Sequence, residues 1–457
     1  MEEKTTAMFE TMSVPKAVLS LVIPSMVGTL MSMLYNMADT LFIGLSHNDY
    51  QLAAVSIAMP VFMLLMAFGS VFGIGGASVI SRSLGEGRLD HASRVSATCM
   101  WGSIFIGLLT TLLCLLGMEP ILKLSGVTEN THDLAKSYLT IVALGGPFAM
   151  VATCQSSVIR AQGESGRGVA GMLIGNAVNI VLDPVMILGF GWGVRGAAWA
   201  TFVGNVCAAL YYLLYYLRGK SVLSIRLKDF TVKEKVLSSV LAIGLPSALS
   251  MVLMSISQIL ANTHMVVYGD LAVAALGVGS KVVMVSTTLC MGIGLGAQPL
   301  LGYSVGARNW ERFKSALRFT CLFAFLTGAG MTLLCYAFLP KIVGLFLTEP
   351  EAYQYGVDFS RIMMTTGFLS GIFNVFAGCL QSMGAAAAAL VVNISRQGIV
   401  YIPMLLLLSR LYGMVGIVIA QPVTDALSLV LAVVCFLFAF QKIRNTEPKP
   451  GVMPMPM

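Results

Sequence analysis

The chain has 457 residues, of which 57% are hydrophobic and 11% are charged, and its mean hydropathy is +0.85. So few charged side chains cannot cover the surface of a water-soluble globule, which excludes a soluble enzyme or a soluble binding protein. The net charge of +7 does not indicate a nucleic-acid partner, because the basic residues lie in short loops between apolar stretches.

Apolar stretches of the length that a bilayer requires follow one another along the whole chain. A hydrocarbon core about 30 Å thick needs roughly 20 residues of helix. Charged loops, and loops with glycine or proline, separate twelve predicted spans. In chain order these cover residues 16–44, 51–83, 89–118, 130–161, 166–189, 194–218, 235–268, 271–306, 312–339, 353–383, 385–408 and 413–441.

The basic residues are distributed unevenly between the connecting loops. The two termini and the loops after even-numbered spans hold 20 Lys and Arg residues, whereas the loops after odd-numbered spans hold 5. Because basic loops stay on the cytoplasmic side, we expect a multi-pass protein of the cell membrane with both termini in the cytoplasm.

The second half of the chain repeats the first at an offset of 221 residues. The sequence SLGEG, at 83–87 near the end of span 2, corresponds to SVGAR at 304–308 near the end of span 8. Farther on, AQG at 161–163 corresponds to SMG at 382–384. Such a correspondence over six spans indicates an internal duplication.

Each half holds an even number of spans, so both halves face the same way across the membrane. The predicted fold is therefore an all-α membrane protein, with twelve transmembrane helices in two six-helix bundles related by a pseudo-twofold axis along the membrane normal. The predicted divisions are a first bundle at 1–217, a cytoplasmic linker at 218–234, a second bundle at 235–441 and a cytoplasmic tail at 442–457. Two bundles around a central cleft suit transport by alternating access.

Four segments carry a family resemblance. They are YNMADTLFIG at 35–44, GIGGASVISRSLGEG at 73–87, AQGESG at 161–166 and NIVLDP at 179–184. In this order they resemble the multidrug and toxic-compound extrusion family, particularly its bacterial branch of staphylococcal and DNA-damage-inducible exporters. The resemblance implies export of varied, often cationic and amphipathic small molecules in exchange for protons or sodium ions. We expect no cofactor besides the coupling ion, no enzymatic activity, contact with membrane lipids, and function as a monomer.

Two acidic residues lie within the predicted spans of the first half. From the span directions, Asp39 and Asp183 both lie in the outer part of the membrane, and Thr201 lies at a similar depth. Asn179 is four residues before Asp183 and Tyr35 four before Asp39, so each pair shares a helix face. A buried acid requires a cavity or a partner, which predicts a hydrogen-bonded cluster in the first bundle.

The family resemblance implies that this cluster is the site of proton or sodium coupling, and Asp39 and Asp183 are the expected ligands if the coupling ion is sodium. The structural interpretation stays open beside it. In that interpretation Asp39 reaches interfacial water and Asp183 caps backbone groups freed by Pro184.

The second half has no acids at the equivalent positions. Instead, Arg396 on span 11 and Asp425 on span 12 lie near mid-membrane and are expected to form an ion pair, either structural or linked to a gate. The candidates for the substrate cleft or gate are Asn36, Gln155, Gln258, Arg396 and Asp425.

Three other functions were weighed against export. A lipid-linked oligosaccharide flippase or polysaccharide exporter of the same broad fold would use the basic residues of the second half to bind an anionic head group. An intramembrane enzyme would need convergent nucleophiles or metal ligands, and the four histidines show no such spacing. A channel stays open as an alternative, although two lobes with a buried acidic cluster fit exchange better.

Overall fold

The computed structural model of the protein describes residues 7–45, 49–125, 127–219, 221–232, 235–347 and 349–446. Helices account for nearly all of these residues, and none of the described residues lies in a β-strand. This confirms the all-α prediction.

The first half of the chain forms six long helices. They are α1 (Val14–Gly44), α2 (Asp49–Gly85), α3 (Leu89–Leu116), α4 (Glu129–Ala161), α5 (Ser165–Pro184) and α6 (Val194–Leu217). Helix α5 continues after Pro184 as one π-helical turn, Val185–Gly189, and a short helix, Met118–Leu124, lies between α3 and α4.

The second half repeats this pattern. It comprises α7 (Val236–Met265), α8 (Asp270–Gly306), α9 (Trp310–Gly344), α10 in two pieces (Pro350–Met364 and Gly367–Ser382), α11 (386–412) and α12 (414–445). Within α11, residues Ser395–Ile399 are π-helical.

The described residues contain ten helical stretches that are long and apolar enough to cross a membrane, and eleven when the two pieces of α10 count as one span bent by 44°. One stretch, Ala386–Asn445, has 60 residues. A helix of that length would measure about 90 Å, roughly three times the hydrocarbon thickness. It breaks at Gly413 into two spans, α11 and α12, and the predicted number of twelve is thereby confirmed.

The same unusual joint precedes the last helix of each half. Gly193 before α6 has φ 52° and ψ −130°, and Gly413 before α12 has φ 59° and ψ −133°. Side chains are excluded from this region of backbone space, so only glycine adopts it readily. The internal repeat is therefore present in the backbone as well as in the sequence.

Contacts divide the chain into two compact units whose limits differ from the sequence halves. The first unit comprises the described residues up to Thr11 together with Val27–Ala248, and the second comprises Met12–Met26 and the described residues from Leu249 onward. Within the second unit, the first turns of α1 pack so closely on α8 that a Cβ on Gly296 would lie 2.6 Å from Val22 Cα. The predicted linker also belongs to the first unit.

Hydrogen bonds to α3 hold that linker. Trp101 Nε1 donates to the carbonyl oxygen of Ile225 at 3.1 Å, and Thr98 Oγ1 donates to that of Thr231 at 3.0 Å. These backbone acceptors lie outside regular helix, so the side chains of α3 satisfy groups that would otherwise need water.

Each unit has an apolar core of its own. In the first unit the core includes Ile43, Leu139 and Ile187, and in the second it includes Met265 and Phe359. The polar clusters described next are embedded beside these cores, so their side chains are held in water-poor surroundings.

Candidate functional site

The first unit brings together the acids of α1 and α5. Asp39 is 6% exposed and Asp183 is fully buried. Their carboxylates are near enough to repel each other electrostatically. Asp183 is the last residue before Pro184, where α5 changes to its π-helical turn, and π-helical turns are frequent at functional sites.

Asn179 and Thr201 connect α5 to α6 at this point. With its amide group directed toward the acid, Asn179 donates to Asp183 Oδ2 at 2.7 Å. Its carbonyl oxygen then accepts from the Thr201 hydroxyl at 3.1 Å and from the Thr201 backbone N–H at 2.9 Å. The hydroxyl of Tyr35 on α1 lies 3.4 Å from the same Thr201 hydroxyl. The five residues predicted from helix spacing and depth thus lie in one cluster.

The cluster has spare capacity to accept hydrogen bonds. Asp39 Oδ1 and Asp183 Oδ1 are both buried, and neither has a hydrogen-bond partner among the described residues. A buried, unpartnered carboxylate oxygen is unfavourable unless it takes up a proton or a cation. Two such oxygens within electrostatic range of each other are a candidate site for one of these.

Tyr138 on α4 is a member of the cluster that helix spacing did not reveal. It is 4% exposed, and its hydroxyl lies within electrostatic range of Tyr35, Asp39 and Asp183. Its only sequence signal is depth, because it lies about as far from the outer end of its predicted span as the acids lie from theirs. Depth alone does not show which face of a helix points inward.

The second unit contains the predicted ion pair. Arg396 Nε lies 2.9 Å from Asp425 Oδ1, and the two side chains are 11% and 5% exposed. Arg396 belongs to the π-helical part of α11, whereas Asp425 lies on α12.

Other side chains complete the hydrogen bonding of this pair. Gln421 donates to Asp425 Oδ1 at 3.2 Å, and Thr366 donates to Asp425 Oδ2 at 3.3 Å. The Arg396 guanidinium also donates to Ser370 Oγ at 3.1 Å and lies 4.7 Å from the centre of the Phe373 ring. Both oxygens of Asp425 are therefore occupied, in contrast to the acids of the first unit.

In the part of the chain that the structure describes, the remaining cleft candidates make no hydrogen bond to either cluster. Asn36 donates to the carbonyl oxygen of Ser32 at 2.7 Å, and Gln258 is exposed on α7, 3.4 Å from Asn262. Gln155 differs from the expectation, because it is fully buried within the first unit and its Oε1 accepts from the Tyr216 hydroxyl at 2.7 Å. It does not line an open surface in this structure.

A family model described as MatE matches the chain twice, at residues 24–185 and 246–407. The chain belongs to the MatE family. The two matched segments coincide with the internal repeat and include both polar clusters except Thr201 and the residues of α12. The resemblance to the multidrug and toxic-compound extrusion family is thereby confirmed.

Named relatives and solved structures extend this match over most of the chain. The chain is 30% identical to the multidrug export protein MepA of Staphylococcus aureus (strain MRSA252) over 427 residues, which is 93% of this chain and 94% of MepA. It is also 30% identical to MepA of Staphylococcus haemolyticus, over 97% of each protein. A structure described as the outward-facing conformation of a multidrug resistance MATE transporter superposes with a TM-score of 0.90 at 25% identity, covering 96% of this chain and 98% of that one.

Membership of the MatE family makes this chain a multi-pass membrane transporter rather than an enzyme. The MepA relatives are named for multidrug export. The helices of the fold and the duplication agree with that role.

Proposed function

We propose that the protein exports cationic or amphipathic small molecules by alternating access, in exchange for protons or sodium ions. The observation that supports exchange most directly is the pair of buried carboxylate oxygens without partners, Asp39 Oδ1 and Asp183 Oδ1. An exporter needs a group that gains and loses a cation in each cycle. Asp425 has no such free oxygen, because Arg396, Gln421 and Thr366 occupy both of its carboxylate oxygens.

A proton bound at Asp39 or Asp183 would remove one negative charge from a pair that repel each other. Asn179 would remain in place, because it holds the other oxygen of Asp183. The cluster would then carry its proton in one state of the transporter and lose it in the other.

A sodium ion fits the same donors. It prefers hard oxygen ligands, and the carboxylates of Asp39 and Asp183 would hold it together with hydroxyl or amide oxygens of the cluster. Either cation enters from the side where it is more concentrated, and its binding shifts the equilibrium between the two states. We further propose that both termini are cytoplasmic, which the uneven distribution of basic residues supports.

The test is transport of a fluorescent cation by the purified protein in lipid vesicles, under an imposed proton gradient or an imposed sodium gradient. We expect the wild type to respond to one gradient and the Asp39→Asn and Asp183→Asn variants to lose gradient-driven transport. Asp133→Asn is the matched control, since this acid of the first unit is 96% exposed. The gradient that drives transport identifies the coupling ion.

Two outcomes would overturn the proposal. Full transport in both Asn variants would show that the first unit does not couple the ion. A wild type that moves none of several cations but moves a labelled lipid-linked sugar would instead identify a flippase.

A further inference from the structure

Helix α10 is broken without a proline. Its two pieces meet at Thr365 and Thr366 with a bend of 44°, and residues 361–371 contain no proline. Sharp bends usually have an identifiable cause, such as proline, glycine and serine at the bend, a π-helical turn or a side chain that inserts into the helix ladder. Here Gly367 directly follows the break, so the helix is weakened at this point and the side chains around it determine which bend is held.

The ion pair of the second unit is attached to this break. Thr366, one of the two residues at the break, donates its hydroxyl to Asp425 Oδ2 at 3.3 Å. Ser370, in the first turn after the break, accepts from Arg396 at 3.1 Å. Through Thr366 and Ser370, the ion pair therefore connects α12 to the start and to the end of the first turn in the second piece of α10.

The same ion pair is attached to a second irregular turn. Arg396 lies within the π-helical residues Ser395–Ile399 of α11. The hydroxyl of Ser257 on α7 donates to the carbonyl oxygen of Gln397 in that turn. One buried ion pair thus joins two irregular turns in two different helices.

Two buried hydroxyls lie beside the break. Ser286 on α8 is fully buried and Thr332 on α9 is 7% exposed. Thr332 Oγ1 has no hydrogen-bond partner among the described residues, and Ser286 Oγ has only the weak thiol donor of Cys290 beside it. Both face Gly367, the first residue after the break, where a Cβ would lie 2.6 Å from Thr332 Oγ1 and 3.8 Å from Ser286 Oγ. A buried hydroxyl without a partner raises the free energy of this conformation.

We propose that the break in α10 is a hinge of the second unit, that the Arg396–Asp425 pair latches it in the bend described here, and that Ser286 and Thr332 accept or donate the hydrogen bonds of the α10 backbone in another bend. A hinge of this kind has two discrete arrangements, each with its own hydrogen bonds. The latch supplies those of one arrangement, and the hydroxyls of Thr332 and Ser286 are placed to supply those of the other. Asp425 and Arg396 then act as positioning residues, and they need not contact the transported molecule.

Hydrogen–deuterium exchange of peptides that cover 358–372, measured on the full-length protein in lipid nanodiscs, tests the latch. Asp425→Asn should speed exchange in these peptides by roughly tenfold or more, because it removes the charge that holds Arg396 and the break together. Thr366→Val keeps the ion pair and removes only its link to the break, so it should speed exchange several-fold. Asp358→Asn is the matched control, since Asp358 lies on the first piece of α10 and pairs with Arg361 at an exposed position.

Exchange at 358–372 that stays at the wild-type rate in both Asp425→Asn and Thr366→Val would overturn the latch. If Asp425→Asn fails to fold, Thr366→Val alone decides, and the wild-type rate in that variant overturns it equally. A Ser286→Ala, Thr332→Val double variant tests the other arrangement. It should slow transport while leaving exchange at the break unchanged, and unchanged transport would overturn the role of the two hydroxyls.

Variants of the hinge and variants of the coupling site should change different measurements. Loss of the latch should leave binding of the coupling ion to the first unit intact, whereas Asp39→Asn should abolish that binding without changing exchange at 358–372. The two proposals are therefore tested independently.

Discussion

Each unit buries a pair of ionisable side chains. The first unit buries two acids and the second buries an acid with an arginine, and the acids of the two units differ in their partners. In the first unit, Asp39 and Asp183 lie within electrostatic range of each other, and each keeps one oxygen without a partner among the described residues. In the second, Asp425 has a cation and two neutral donors on its oxygens. The first unit therefore has room for an exchangeable cation, whereas the carboxylate oxygens of the second unit already have partners.

The largest expected effect comes from leaving the acid of the second unit without its cation. Arg396→Met should destabilise the protein by about 3–5 kcal/mol, because it strands a buried carboxylate. The measurement is thermal unfolding in detergent. Its companion is the double variant that carries both Arg396→Met and Asp425→Leu. That double variant should recover most of the loss, and a single variant as stable as the wild type would mean that the pair contributes no specific stability.

Removing the amide of the first cluster should have the next largest effect. Asn179→Ala takes a donor from Asp183 Oδ2 and an acceptor from Thr201, which should cost about 1–3 kcal/mol. The same unfolding experiment measures it. Asn176→Ala, one turn earlier on α5, is the control, since its amide makes a single 3.3 Å hydrogen bond to Ser32. Equal losses in the two variants would deny Asn179 a special place in the cluster.

The hydroxyl of Tyr35 should matter less. Its 3.4 Å contact with Thr201 is long, so Tyr35→Phe should destabilise the protein by about 0.5 kcal/mol, at the low end for a hydrogen bond. A loss above that of Asn179→Ala would indicate that Tyr35 holds the carboxylates directly.

Neutralising an acid of the first unit should have the smallest effect on stability. Asp39→Asn and Asp183→Asn relieve repulsion between two carboxylates, so the midpoint of unfolding should stay within about 1 kcal/mol of the wild type or rise. The opposite result, a large loss in both, would mean that these charges hold the fold. Stable variants that do not transport would sharpen the contrast with Arg396.

The sequence predicted the helices of this fold well because a bilayer demands long apolar stretches. It did not predict the break in α10, since Thr365 and Thr366 are ordinary residues within an apolar run, and the hydrogen bond that Thr366 makes there goes to Asp425, 59 positions later. The division of α1 between the two units was equally out of reach, because it depends on close packing against Gly296 of another helix.

The clusters were predictable to the extent that local spacing defines them. Asp39, Tyr35, Asn179 and Asp183 follow from pairs four residues apart, and the Arg396–Asp425 pair follows from matching depths in adjacent spans. Tyr138, Thr366 and Gln421 were missed. Tyr138 and Thr366 come from other helices, and which face of a helix points toward a neighbour is set by packing and not by local sequence.

The glycine joints at Gly193 and Gly413 bear on the history of the chain. Two positions 220 residues apart share a backbone geometry that side chains forbid, while the acids nearby differ completely between the halves. A half-length gene that encoded this joint before it was duplicated accounts for both copies. The unpartnered carboxylates of the first half and the ion pair of the second have no counterpart in the other half, so the two halves differ in their polar clusters while they share the joint.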